Sequence, residues 1–76
     1  MRAGQHFETR LEGVNFTIWQ QADRIEVIRH GFARQGDHAR LKGLMVQAAE
    51  AATHCSLRGD SIEGDTGVMR ARLACD

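Results

Sequence analysis

Cys55 and Cys75 are the only cysteines in the 76-residue chain, and they offer its clearest chemistry. Nineteen residues separate them, which is too many for a Cys-x-x-Cys redox site. Zinc is disfavoured too, because no Cys-x-x-Cys or His-x-x-x-His pair supplies the usual ligands. His54 adjoins Cys55, yet neighbouring helical residues project about 100° apart. The pattern turns both cysteines towards one core, so a bridge between them fits, and its loop closure would contribute about 3 kcal/mol on a chain-entropy model. A bridge implies an oxidising compartment. Two unpaired buried thiols acting as small hydrophobes is the competing reading. Localisation follows the pair: periplasmic or extracellular if bridged, otherwise cytoplasmic.

The histidines His6, His30, His38 and His54 have no spacing that puts two on one helical face four residues apart. None stands beside a recognisable nucleophile motif. No catalytic, metal-binding or cofactor-binding residue is therefore expected, and a small enzyme or ligand carrier using His30 or His54 is a third-placed reading. The stretch Gly64 to Gly67 lacks the lysine and spacing of a phosphate loop and reads as a hairpin turn. Arg58-Gly59-Asp60 matches a short adhesion tripeptide, a string that arises by chance.

Trp19 is the only tryptophan. Its parity points it away from the core, beside Asn15 and Thr17. Arg58, Arg70 and Arg72 have parities that can share that side, so Trp19, Arg58, Arg70 and Arg72 form a candidate binding face for a protein, a second copy of the chain or a single-stranded nucleic acid. The plainer alternative is a tryptophan shielded by arginine stems. Ten basic residues balance ten acidic ones, which withholds the positive field that nucleic acid or anionic lipid would need. Nine of the ten bases are arginine, a usage that fits GC-rich bacterial codon bias as well as carboxylate or phosphate recognition.

These residues need elements to position them. His6–Leu11 and Val14–Gln20 alternate apolar and polar residues and read as strands joined at Glu12-Gly13. Gln21-Ala22-Asp23 breaks to a third strand, Arg24–Ala33, where a bulge near Ile28 or Arg29 would return Phe32 to the core. Asp37 is a candidate N-cap. From His38 the period changes: Leu41, Leu44, Met45, Ala48, Ala52 and Cys55 form one helical stripe, with Gly43 marking a close approach. Ser56–Ile62 reads as a short strand, Glu63–Gly67 as a turn, and Val68–Cys75 as the last strand, with Met69, Ala71, Leu73 and Cys75 on one face.

The expected fold is α+β: residues 1–76 as one small domain, with about five antiparallel strands and one helix packed on one face, in the order β-β-β-α-β-β. Met1 to Gln20 lacks the basic start and apolar core of an export signal, and no apolar run approaches the roughly 18 residues of a membrane span. The leading expectation is a noncatalytic domain of a bacterial envelope or secreted protein acting through protein contact. Its rival is a cytosolic binding module, from a phage or a regulatory protein, that uses the open sheet face for nucleic acid or protein. The open face and the two sheet edges also invite a homodimer.

Overall fold

The structure, a computed structural model, describes residues 4–31, 38–65 and 67–75. Alternation of apolar and polar side chains gives strands β1 (Gln5–Leu11), β2 (Val14–Gln21) and β3 (Arg24–Arg29), paired as an antiparallel meander. The turns are tight: Leu11 lies opposite Val14, and Gln21 opposite Arg24. Glu12 and Gly13 both have positive φ, 49° and 79°. This is the type I′ geometry whose twist matches the flanking strands.

Helix α1 (His38–Thr53) follows, then β4 (Ser56–Leu57), a 3-10 turn (Gly59–Ser61), β5 (Glu63–Gly64) and β6 (Val68–Ala74). The sheet order is β1-β2-β3-β6-β4, with β5 also paired to β6. The chain is therefore the expected α+β fold, one helix on an antiparallel sheet. One edge of β6 bonds β3, and its other edge is shared by β4 and β5.

Helix and sheet meet through a single apolar cluster. Phe16, Ile18, Ile25, Val27, Met69, Ala71 and Leu73 point from the sheet, and Leu41, Leu44, Met45, Ala48 and Ala49 descend from the helix. Fully burying a large apolar side chain contributes about 1.5–3 kcal/mol. Phe16, Ile18, Ile25, Val27, Met45 and Met69 are all buried to that degree. The alanines Ala48 and Ala49 let the helix backbone come close to the strands. Gly43 plays no such part: it is exposed and a Cβ there would meet nothing within 4 Å.

Three expected elements differ. The third strand stops at Arg29, and its register with β2 runs from Phe16–Arg29 to Gln21–Arg24 without a bulge. His30 still donates its amide to the Asn15 carbonyl at 2.9 Å, but Gly31 then takes φ 91° and turns the backbone away. Phe32 and Asp37 lie outside the described residues. The expected strand Ser56–Ile62 is split, because Ser61 folds back: its amide donates to the Arg58 carbonyl at 2.9 Å, while its Oγ accepts the Arg72 amide at 2.8 Å. Part of the expected turn, Glu63-Gly64, pairs with β6 as β5.

The helix also ends earlier than its apolar stripe. His54 adopts φ 59° and closes the last turn with a 2.9 Å bond from its amide to the Glu50 carbonyl, an αL cap. Cys55 therefore sits just past the helix. Glu50 ties the exit to the sheet, accepting the Leu57 amide at 3.0 Å. Cys55 and Cys75 lie at disulfide distance, with sulfurs 2.06 Å and Cα atoms 4.8 Å apart. They join at the rim instead of in the core: Cys55 is half-buried and Cys75 exposed.

Protein isolated without reductant is expected to gain two hydrogens in mass on reduction, and to lose about 3 kcal/mol of stability in urea titrations. Free thiols in the isolated protein would contradict this. Gly64 tests the β5–β6 hairpin. It holds φ 102°, and a Cβ there would collide with the Val68 carbonyl oxygen. Gly64→Ala is expected to cost about 2 kcal/mol or more, against about 1 kcal/mol for Gly13→Ala, whose Cβ meets nothing within 4 Å.

Candidate binding face

Strand parity sends a second set of side chains to the side without the helix. Register aligns His6, Trp19, Glu26, Arg70 and Glu63 in one row across β1, β2, β3, β6 and β5. The rings of His6 and Trp19 stack with centroids 4.6 Å apart and planes inclined by 23°. A histidine ring therefore lies against the tryptophan. Such stacking is worth about 0.5–1.5 kcal/mol beyond the area it buries.

The next contact in that row is ionic. Arg70 Nε donates to Glu26 Oε2 at 3.2 Å; the Glu26 side chain is 11% exposed and that of Arg70 is 60% exposed. Glu26 is held among its neighbours while the guanidinium stays available to solvent. One row further, Arg24 lies directly opposite Arg72. Like charges facing each other across strands are destabilising. Arg24, Arg58 and Arg72 make no side-chain hydrogen bond or ion pair among the described residues.

A shallow cleft of about 530 Å³ opens there, lined by Arg24, Arg70 and Arg72 from the long strands and by Asp60, Ser61 and Glu63 from the 3-10 turn and β5. Of the four expected face residues, Arg70 and Arg72 line this cleft, and Trp19 stands two strands from Arg70, about 10 Å away by strand spacing. Arg58 is exposed at the sheet edge, where its amide donates to the Arg72 carbonyl at 2.9 Å, and it does not line the cleft. Arg24, Glu26 and His6 are the residues the sequence reading left out. Their outward parity was visible, but their row partners depend on register.

A second polar contact lies beside the first row. Thr17 is 8% exposed although it faces away from the helix, and its Oγ1 is 2.6 Å from His30 Nε2. This pair satisfies a buried hydroxyl. His30 has no further side-chain partner among the described residues that would orient it as a base. Among the described residues no three His, Cys, Asp or Glu side chains gather as a metal site, and no helix is long and apolar enough to cross a membrane.

No protein-family model, curated protein or solved structure matches the chain.

Asp65 links the end of β5 to the start of β6. Its Oδ1 accepts the Gly67 amide at 2.8 Å and the Val68 amide at 3.0 Å. Hydrogen bonds from Val68 and Gly67, with the positive charge of Arg29, hold its pKa below the ordinary aspartate value. A depressed folded pKa adds stability that is complete above the unfolded value and is lost as pH falls through the folded one. An NMR pH titration is expected to show Asp65 titrating below the ordinary aspartate value. Asp65→Asn is expected to remove that part of the acid-side loss of stability, and an unshifted Asp65 would contradict it.

Proposed function

We propose that this chain is a noncatalytic binding domain of a bacterial envelope or secreted protein, and that it works by protein contact through the helix-free sheet face. The observation that carries the reading is the directly opposed Arg24 and Arg72, which make no side-chain ion pair among the described residues, in a cleft beside Arg70. Like charges opposed across strands repel one another, and a carboxylate that accepts from both guanidinium forks reverses that cost. The partner this chemistry fits is a protein surface bearing aspartate or glutamate. The His6–Trp19 stack supplies an adjacent flat apolar contact of the kind enriched in protein interfaces.

The compartment is part of the same proposal and rests on the cysteine pair at bonding distance. Nucleic acid is the weaker occupant. The chain carries no net charge, and Asp60 and Glu63 border the same cleft. Both features oppose a phosphate backbone, which needs a broad positive track.

Titration with an oligoglutamate peptide, followed by NMR, is expected to shift the Arg24, Arg70 and Arg72 side-chain resonances and the Trp19 indole, with binding weakened by salt. Arg24→Ala/Arg72→Ala is expected to reduce affinity about tenfold or more. Shifts that survive in the double variant, or none at all, would sink the reading. Tighter binding of a single-stranded oligonucleotide than of the peptide would replace it with the nucleic-acid reading.

A further inference from the structure

The two edges of the sheet are built differently. On one side β4 and β5 have two residues each and are interrupted by the 3-10 turn. Short, broken edge strands resist pairing with another chain. On the other side β1 runs seven residues without interruption or proline, and among the described residues no strand pairs with its outer edge.

Backbone direction along that edge follows from the turn and the register. Leu11 and Val14 close a two-residue hairpin loop and form a hydrogen-bonded pair. The Asn15 carbonyl, one residue on, accepts from His30 and so points to the β3 side. Phe7, Thr9 and Leu11 therefore direct their amides and carbonyls to β2, while His6, Glu8 and Arg10 direct theirs outwards. The same three residues carry their side chains on the helix-free face.

We propose that β1 pairs antiparallel with β1 of a second copy of this chain about a two-fold axis at Thr9, with Glu8 of each copy opposite Arg10 of the other. Backbone direction allows only registers that set outward-directed residues opposite each other. Centred on Glu8, the register sets Glu8 against itself and His6 against Arg10. Centred on Arg10, it sets Arg10 against itself and Glu8 against Glu12. Centred on Phe7, it leaves Arg10 opposite Gly4. Centred on Thr9, it forms the Glu8–Arg10 pair twice and sets Phe7 opposite Leu11 twice on the helix side, where all four side chains are half-buried in the single copy. Opposite charges facing each other across strands stabilise the pairing, and like charges oppose it.

This inference is independent of what the sheet face binds. Its geometry does join the two helix-free faces into one surface, because residues paired across strands lie on the same side of a sheet.

Sedimentation equilibrium of the full chain, up to about 1 mM, is the test. The wild type is expected to be a concentration-dependent dimer. Glu8→Arg and Arg10→Glu are each expected to be monomeric, and an equimolar mixture of the two is expected to form a heterodimer, since each then opposes the other's charges. Glu8→Arg/Arg10→Glu, which exchanges the charges within one strand, is expected to dimerise as the wild type does and covers the case in which a single variant misfolds. A wild type that stays monomeric throughout overturns the proposal. So does a dimer that either single variant leaves intact.

Discussion

One-sided coverage of the sheet is the constraint on which the molecule depends. Among the described residues a single helix lies against the strands, so each strand commits alternate residues to that side and gives the rest to the other. The helix side is an ordinary dry cluster of aliphatic and aromatic groups around Ile18, Val27 and Met45. The opposite side has no second layer among the described residues, and it is stabilised by contacts within its own plane. Those contacts include the His6–Trp19 stack, the Arg70–Glu26 ion pair and the Thr17–His30 hydrogen bond. They bring two polar residues, Thr17 and Glu26, to 8% exposure on an uncovered surface.

Much of this was legible in the residues. The change from period two to a helical period at His38 set the element order, and strict alternation in Val14–Gln20 placed Trp19 correctly. The stripe Leu41, Leu44, Met45 and Ala48 is the buried helix face, joined by Ala49. Less legible were features decided by long-range hydrogen bonds. Ser61 breaks a strand pattern because Arg72, eleven residues on, needs its hydroxyl. Gly31 and His54 end their elements through left-handed backbone, which a residue type suggests only weakly in histidine.

The candidate site shows the same division. Outward parity of Arg70 and Arg72 could be read along a single strand. That Arg72 opposes Arg24, or that Arg70 meets Glu26, is a statement about strand order and register, since β6 inserts between β3 and the short strands β4 and β5. Arg58 shares the parity but falls where the sheet edge is broken, so it stands apart from the cleft.

The pairing of β3 with β6 also orders events as the chain folds. The β1–β2–β3 meander needs only two tight turns and can close early, whereas β6 must return across the helix, 40 to 48 residues along the chain, to pair with Ile28 and Arg24. Until it does, β3 carries a bare edge beside Ile25 and Val27, and that interval is when the polypeptide is most exposed to wrong partners. Early closure of the covalent ring from Cys55 to Cys75 would shorten that interval, because it holds the late strand near the helix exit before the strand finds its place in the sheet.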